Sequence, residues 1–444
     1  MSRRGKSLRV VDCHSGDFCY RGRISKIVLF LTFQPHPNTI KLINLQKELR
    51  EYTMEQIIYH ERKNTDCVKW DVLKDKFGQD DLMALWVADM DFQVPACVQQ
   101  SLRDYVESGV YGYYKVPDRY HEAFIQWEKT YHGYEVQKEW IRFAPGVVPA
   151  INWLVNVMTQ PGDGIGVMTP VYYPFMNAVN DNGRKLINCP LKKVDGGYTM
   201  DLESFEELAA AGEMKLFILC SPHNPVGRVW TREELVGLLT ICDKYDIFVL
   251  ADEIHQDIIV GDREQITAAT VAPNTDRLVT MTAATKTFNL AGVQNSFVII
   301  PSEEVRKRWD ALVEPLHING GNAFGYIAVA SAYAGGRQWL DQVIAIIRGN
   351  FEYLRDTLAE KLPQVQVYPL EGTYLCWVDL AAYVKAEDME EVVQRKARLA
   401  VDYGDWFGGE AYGAEYATHI RINLATSHEN IVQAVEQLVG AIAQ

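Results

Sequence analysis

A helix placed between two apolar runs is the feature of this sequence that most constrains its fold. Residues 216–227 form an apolar run that ends in a turn, and residues 248–255 form a second apolar run that ends in acidic residues. Between them, residues 231–246 predict a helix, because Thr231 and Glu234 are spaced as in a capping box. A strand, a helix and a strand in this order predict a right-handed crossover between parallel strands. The chain is therefore expected to have an α/β fold with a doubly wound, mainly parallel sheet.

A third apolar run, residues 277–281, leads through small and hydroxyl residues to Lys286. Most lysines are solvated surface charges. A lysine that enters a cleft from a buried strand is different, because desolvation lowers its pKa and frees the amine for nucleophilic attack. The other two apolar runs also end in polar side chains, Asp252 and Asn224. Because small-molecule sites in open α/β sheets lie at the carboxyl ends of strands, these three residues predict a reaction site.

An amine, a carboxylate and an amide at three strand ends are the groups that pyridoxal 5'-phosphate (PLP) requires. On these residues, and on ordered motifs from about residue 70 to the C-terminus, the sequence resembles the fold-type I PLP-dependent enzymes of the class I/II aminotransferase superfamily. The resemblance implies a large domain with the parallel sheet and a smaller α+β domain. It also implies that Lys286 binds PLP and acts as the catalytic base, that Asp252 keeps the pyridine nitrogen protonated, and that Asn224 bonds the 3'-oxygen.

A glycine turn at Gly146 precedes an apolar helix that is predicted over residues 150–158. Free N–H groups and the positive end of the dipole at a helix start bind anions, so the backbone of Val147 and Val148 is expected to hold the cofactor phosphate. An ordinary strand-to-helix turn explains the same pattern equally well. Two hydroxyl side chains near the lysine are further candidates for phosphate contacts: Thr282 and Thr285.

The resemblance gives two tyrosines a role at the cofactor. Tyr172 matches the aromatic residue that stacks on the PLP ring in this family. Tyr113, in the aromatic cluster of residues 110–115, matches the tyrosine that reaches the PLP phosphate of the neighbouring subunit. This match implies a homodimer with shared active sites. Aromatic clusters usually pack in a core, which is the alternative for Tyr113.

Arg421 matches the arginine that binds the substrate α-carboxylate in this family. The planar guanidinium suits that task, because it binds a carboxylate through two parallel hydrogen bonds. A single strand arginine is more often a surface residue. Here Ile420 and Ile422 flank it on a predicted buried strand, residues 419–424, so the charge needs a partner.

Three features resemble one subgroup of the superfamily, the cystathionine β-lyases or C–S lyases of the MalY/PatB type. The segment of residues 86–92 is the first. His255 is the second, at a position where transaminases usually carry tyrosine, although a buried structural histidine is an equal alternative. Gln294 is the third, since many relatives carry arginine there to pair with the phosphate. For Asp89 and Asp91, the alternative is that they cap a helix that begins near residue 95.

The leading hypothesis for the function is a PLP-dependent C–S β-lyase. Such an enzyme cleaves L-cysteine S-conjugates such as cystathionine to a thiol, pyruvate and ammonia. An aminotransferase of class I/II is the first alternative, because the cofactor-binding residues serve both reactions. A regulatory protein that binds a partner and has secondary lyase activity is the lesser alternative.

Composition excludes several other classes of function. The net charge of −14 argues against nucleic-acid binding. No run approaches the ~18 apolar residues of a membrane span. The eight cysteines are scattered without a CxxC pair, which is typical of reduced thiols in a cytoplasmic protein rather than of disulfides or a metal site.

The first 53 residues differ from the rest of the chain, because they carry ten Lys/Arg and only four Asp/Glu. We interpret residues 1–53 as an atypical N-terminal extension. Either it is poorly ordered, or the translation start was assigned too far upstream and Met54 is the true start. The predicted division of the remaining chain follows the resemblance. It comprises the N-terminal part of the small domain (54–105), the large PLP-binding domain (106–335) and the C-terminal small domain (336–444).

Overall fold

The computed structural model describes residues 55–443, so the predicted extension 1–53 lies outside the described residues. The strands in this part of the chain are β1 (Met83–Ala84), β2 (Ile141–Ala144), β3 (Gly164–Val167), β4 (Lys185–Asn188), β5 (Lys192–Val194), β6 (Gly197–Thr199), β7 (Met214–Cys220), β8 (Phe248–Asp252), β9 (Leu278–Thr282), β10 (Ser296–Ile299), β11 (Gln366–Val367), β12 (Leu375–Asp379), β13 (Leu399–Ala400), β14 (Asp402–Tyr403) and β15 (His419–Asn423).

The α-helices of the same residues are α1 (Val68–Asp71), α2 (Leu73–Phe77), α3 (Ala96–Glu107), α4 (Asp118–Trp127), α5 (Val147–Met158), α6 (Pro174–Asp181), α7 (Leu202–Ala210), α8 (Arg232–Lys244), α9 (Ala284–Thr287), α10 (Glu303–Val313), α11 (Ala323–Gly335), α12 (Arg337–Lys361), α13 (Gly409–Tyr412) and α14 (His428–Ile442). Two segments are π-helical, Glu128–His132 and Glu390–Lys396. No helix within residues 55–443 is both long enough and apolar enough to cross a membrane.

Seven strands form the central sheet, in the order β2-β10-β9-β8-β7-β3-β4. Strand β10 runs antiparallel to both of its neighbours, and every other neighbouring pair is parallel. Along β7 and β8 only Lys215 is exposed, as expected for strands that are covered on both faces. The predicted α/β fold with a mainly parallel sheet is confirmed.

The crossover between β7 and β8 forms as its sequence predicts. The Thr231 hydroxyl accepts a hydrogen bond from the Glu234 N–H (3.2 Å), and the Glu234 carboxylate accepts one from the Thr231 N–H (2.9 Å). These two bonds satisfy donors that would otherwise be unpaired at the start of α8. The helix then returns the chain so that β8 runs parallel to β7, with Asp252 beside Cys220. The ends of the two strands therefore lie at the same edge of the sheet.

Four strands form a second, antiparallel sheet in the order β11-β12-β15-β14. Its inner strand β15 places Arg421 opposite Trp377 on one side and opposite Asp402 on the other. Strand β1, which precedes the large sheet in the chain, pairs with β13 in a separate two-stranded parallel sheet. This pairing brings the N-terminal segment into contact with the C-terminal part of the chain. The domain boundaries at residues 105/106 and 335/336 stay a prediction.

Two local elements near the strand ends differ from the sequence prediction. Helix α5 begins at Val147, three residues before the predicted start. Pro149 is compatible with this earlier start, because the first turn of a helix does not need its N–H. Lys286 lies on the single-turn helix α9 rather than in a loop, and the Phe288 N–H closes that turn on the carbonyl of Ala284 (2.9 Å).

The capping role considered for Asp91 is wrong. Helix α3 has Pro95 at its N-cap and no side-chain capping bond. The Asp91 carboxylate instead accepts hydrogen bonds from Lys69 Nζ (2.8 Å) and from Trp70 Nε1 (3.1 Å). Asp91 and Lys69 are fully buried, so the carboxylate serves as the counter-ion of a buried ammonium group.

We expect the Asp91→Ala substitution to lower the free energy of unfolding by about 3 kcal/mol or more, because it leaves the buried Lys69 charge without its closest partner. Urea unfolding followed by circular dichroism measures this. The matched control is Asp80→Ala, which removes an exposed carboxylate and is expected to change stability by less than about 0.5 kcal/mol. Equal stabilities of the two variants would contradict the role of Asp91.

Candidate active site

A cavity of about 190 Å³ opens at the carboxyl ends of β7, β8 and β9. It lies where parallel strands deliver their terminal residues to one edge of the sheet. Eight of the eleven predicted site residues line it: Lys286, Asp252, Asn224, His255, Tyr172, Thr285, Val147 and Val148.

Lys286 extends from helix α9 into this cavity and is partly buried. Its Nζ donates a hydrogen bond to the carbonyl of Ala88 (2.6 Å). Burial lowers the pKa of Lys286 to about 8; the Asp89 carboxylate opposes this effect and the Arg421 charge adds to it. A large fraction of the amine is therefore neutral and nucleophilic near pH 8.

Asp252 ends strand β8 and is 5% exposed. Burial raises its pKa to about 7, against a hydrogen bond from the Ile254 N–H and the nearby Lys286 charge. The Ile254 N–H binds Oδ1 at 3.0 Å, and Oδ2 accepts no hydrogen bond from the described residues. A cation beside this oxygen would favour the ionised carboxylate, so the position suits a protonated ring nitrogen.

Arg421 does not line the cavity itself, but it contacts Asn224, which does. Arg421 is 2% exposed, and its Nη1 donates to Oδ1 of Asn224 (3.0 Å). Since the amide oxygen is used in this way, the NH₂ group of Asn224 is the part that remains to donate toward a ligand. The Nη2 of Arg421 donates to the carbonyl of Trp86 (2.9 Å) and to the buried carboxylate of Asp402.

His255 lies in the cavity wall with its ring edge-on to Tyr374, at 5.6 Å between ring centroids. Burial lowers its pKa well below the ordinary value, and the Lys286 and Arg421 charges lower it further. The imidazole is therefore neutral. Its buried Nδ1 has no hydrogen-bond partner among residues 55–443, which is the condition expected of a group that binds a ligand.

The start of helix α5 offers an anion site at the other end of the cavity. Gly146 is its N-cap residue, and no side chain caps the helix there. The first N–H groups of the helix are thus available to an anion, and the helix dipole favours one. Thr285 lines the same cavity, so its hydroxyl is also within the site.

Besides Arg421, two of the eleven predicted residues, Thr282 and Tyr113, do not line the cavity, and neither does Gln294. Thr282 does not line the cavity, because its hydroxyl donates to the carbonyl of Glu253 (3.3 Å). Tyr113 is fully exposed in the chain, so the core-packing alternative is wrong for it. Gln294 is exposed and adopts a left-handed backbone conformation (φ 50°).

Sequence reasoning missed two residues that hold the site together. Asp402 pairs with Arg421 from the adjacent strand, and Tyr374 donates to the carbonyl of Ala88 (2.8 Å), which Lys286 also contacts. A signal existed only for Asp402, which is a single acid in an otherwise apolar run, residues 399–403. Strand pairing between distant segments, which decides its partner, is not visible in the sequence.

The residues of the cavity fit PLP. A partly neutral lysine, a buried carboxylate, an amide donor, an aromatic ring and an anion-binding helix start surround one cavity. Lys286 would hold the aldehyde carbon, Asp252 the ring nitrogen, and Asn224 the 3'-oxygen. When bound, PLP withdraws electrons from the α-carbon of an amino acid.

We expect the apoprotein to bind PLP covalently at Lys286 at a rate that rises with pH around a midpoint near 8, because only the neutral amine attacks an aldehyde. Borohydride trapping at a series of pH values, followed by mass spectrometry of the Lys286 peptide, measures the rate. Lys286→Arg is the control without a nucleophile. A midpoint near the ordinary lysine value of 10.5 would contradict this expectation.

Comparison with known proteins gives consistent matches. The family model for aminotransferase class I and II matches residues 80–438. Cystathionine β-lyase PatB of Bacillus subtilis (strain 168) is 34% identical over 387 residues, which cover 86% of this chain and 98% of that protein.

Two solved structures extend the comparison. Cystalysin from Treponema denticola, whose crystal structure contains a PLP cofactor, is 34% identical with a TM-score of 0.83; the match covers 88% of this chain and 99% of that one. The PLP-bound C–S lyase from Staphylococcus hominis is 31% identical with a TM-score of 0.81, over 88% of this chain and 98% of that one. The chain therefore belongs to the class I and II aminotransferase family.

Proposed function

We propose that this protein is a PLP-dependent C–S β-lyase that cleaves L-cysteine S-conjugates such as cystathionine to a thiol, pyruvate and ammonia. The observation that carries the proposal is Lys286, a partly buried lysine with a pKa lowered to about 8, in one cavity with Asp252, Asn224 and a neutral His255. The names of cystathionine β-lyase PatB and of the PLP-bound C–S lyase from Staphylococcus hominis support the same reaction class.

Arg421 positions the substrate. Its guanidinium would bind the substrate α-carboxylate, while Asn224, Asp402 and the carbonyl of Trp86 fix its orientation. A fixed guanidinium loses little side-chain entropy when it binds, and it holds the substrate α-carbon at one place in the cavity. The α-proton then lies within reach of the lysine.

Lys286 moves the proton. Its neutral Nζ accepts the proton from the α-carbon, and the bond between the β-carbon and sulfur breaks as a carbon–carbon double bond forms. The protonated Nζ then donates to the departing sulfur, so the thiol leaves neutral. Water hydrolyses the released enamine to pyruvate and ammonia. Burial lowers the pKa of His255 well below its ordinary value, so its imidazole is a weaker base than Lys286 and does not compete for this proton.

We expect the purified protein with PLP to form pyruvate and a free thiol in equal amounts from L-cystathionine. Lactate dehydrogenase with NADH measures pyruvate, and a disulfide reagent measures the thiol. Lys286→Ala is expected to lower kcat roughly 10²- to 10⁴-fold, because it removes the group that transfers the proton.

The control for this assay is Lys307→Ala, which removes an exposed lysine on helix α10. Transfer of the amino group to a 2-oxo acid, without pyruvate or thiol, would contradict the lyase and identify an aminotransferase. Absence of a visible cofactor band after PLP is supplied would contradict PLP dependence.

We also propose a homodimer in which each subunit completes the active site of the other. A single chain leaves an apolar and aromatic segment exposed: Val110 is 72% exposed, Tyr111 56%, and Tyr113 completely. Exposed apolar clusters of this kind favour an interface with another chain. The family resemblance places Tyr113 at the phosphate of the neighbouring subunit, which explains why it contacts no cavity in its own chain.

Mixing two inactive variants tests this proposal. Lys286→Ala and Tyr113→Ala homodimers are each expected to have low activity. Subunit exchange restores one intact site in each heterodimer, so we expect about a quarter of wild-type activity at statistical exchange. Light scattering confirms the dimer, and a mixture no more active than its components would contradict the shared site.

We also propose that the protein is cytoplasmic, because its described cysteines are free thiols. Six cysteines within the described residues are free thiols, and five of them are buried. Free buried thiols are typical of proteins kept in a reducing compartment.

A further inference from the structure

A second cavity, of about 280 Å³, adjoins the candidate active site. Ala291 lines both cavities. The wall of the second cavity includes Arg62, His60 and Asp89, and Asp89 directly follows Ala88, whose carbonyl accepts the hydrogen bond from Lys286 Nζ. A substrate bound at Lys286 therefore has a second, polar space beside it, in the part of the chain that precedes the large sheet.

This second cavity contains a pair of opposite charges with spare hydrogen-bonding capacity. Nη2 of Arg62 donates to Oδ2 of Asp89 (2.8 Å), and Nη1 donates to the carbonyl of Met90 (3.0 Å) with a longer contact to Asp91 (3.4 Å). The Nε–H and one Nη2 hydrogen of Arg62 then have no partner among residues 55–443.

Asp89 complements this arginine. Its Oδ1 is buried without a hydrogen-bond partner among the described residues, and the nearest ammonium, Lys69 Nζ, is 3.9 Å away. Oδ1 of Asp89 and the Nε edge of the Arg62 guanidinium can therefore pair with a ligand that carries both a negative and a positive charge. An α-amino-acid head group is such a ligand, because its carboxylate pairs with arginine and its ammonium with aspartate.

The walls of the second cavity are held rigidly. The Asn289 side chain accepts from the Met90 N–H (3.0 Å) and donates to the carbonyls of Met90 (2.9 Å) and Phe92 (3.0 Å). Asn289 follows Lys286 by three residues, so these bonds tie the 89–92 segment to the turn that carries the lysine. The His60 N–H donates to the carbonyl of Asp91 (2.9 Å) from the other side. A preformed wall reduces the entropy lost on binding.

We infer that Arg62 and Asp89 form a subsite for the leaving half of the substrate, and that the preferred substrates are S-conjugates whose thiol carries an amino-acid head group, as cystathionine does. The inference rests on the proposed lyase function and adds the residues that determine its specificity. Arg62 binds the distal carboxylate and Asp89 the distal ammonium. Conjugates with neutral alkyl thiols leave both charges without a ligand, so they gain none of this binding energy.

A substrate series on the wild-type holoenzyme tests the subsite first. The three substrates are L-cystathionine, S-(3-carboxypropyl)-L-cysteine, which lacks only the distal ammonium, and S-propyl-L-cysteine, which lacks both distal charges. We expect kcat/KM to fall at each step, by about 10-fold or more in total, mainly through KM. Equal kcat/KM values for the three substrates would overturn the subsite and leave the lyase proposal standing.

Arg62→Gln is the second test. We expect it to lower kcat/KM for L-cystathionine and S-(3-carboxypropyl)-L-cysteine about 10-fold or more beyond any loss on S-propyl-L-cysteine, because only the first two substrates carry a distal carboxylate. Arg62→Lys is expected to restore part of the loss. The matched control is Arg103→Gln, on the exposed face of helix α3.

The outcomes separate the two proposals. An equal loss on all three substrates would overturn the subsite, because it would mean that Arg62 only braces the 89–92 segment. No loss on any substrate would overturn it as well. If the wild-type protein binds PLP but forms no pyruvate from any conjugate, the lyase proposal itself fails, and the subsite fails with it.

Discussion

The other features of this protein follow from the burial of charged side chains at the carboxyl edge of the parallel sheet. Lys286, Asp252 and Arg421 each carry a charge into a region that excludes most water. Removing a charge from water is costly unless hydrogen bonds replace the lost hydration. The carbonyl of Ala88 and the carboxylate of Asp402 supply part of that replacement, and they come from segments far away in the sequence.

The replacement is incomplete, and the groups left without partners favour a bound ligand. Asp252 has an oxygen without a hydrogen bond from the described residues, and His255 has a nitrogen without one. Asn224 lines the same cavity, and Arg421 uses its amide oxygen. Buried polar groups rarely stay unpaired in a native protein, so this concentration at one place favours a ligand that completes the pairing. The lowered pKa of Lys286 has the same origin, because the burial that leaves these groups unpaired also disfavours its ammonium form.

A second group of charges fixes the segment that covers the site. Two carboxylates, Asp89 and Asp91, each form ion pairs with both Arg62 and Lys69. The two negative charges therefore balance the two positive charges. The pairing explains why a segment in contact with Lys286 is acidic. It also positions the carbonyl of Ala88, which accepts hydrogen bonds from both Lys286 and Tyr374.

Apolar runs, a capping box and the right-handed crossover are local signals that bring strand ends to one edge, so they were enough to predict the parallel sheet and the meeting of Lys286, Asp252 and Asn224. The identity of the cofactor came from the resemblance of these motifs to a family, not from the spacing. The three-dimensional structure was needed to show that Asp91 neutralises Lys69, which stands 22 residues away, rather than capping a helix. It also decided which hydroxyls reach the cavity and that a second, charged cavity lies beside the first. These features depend on contacts between distant segments, and local sequence patterns carry no information about which distant side chains will share a buried space.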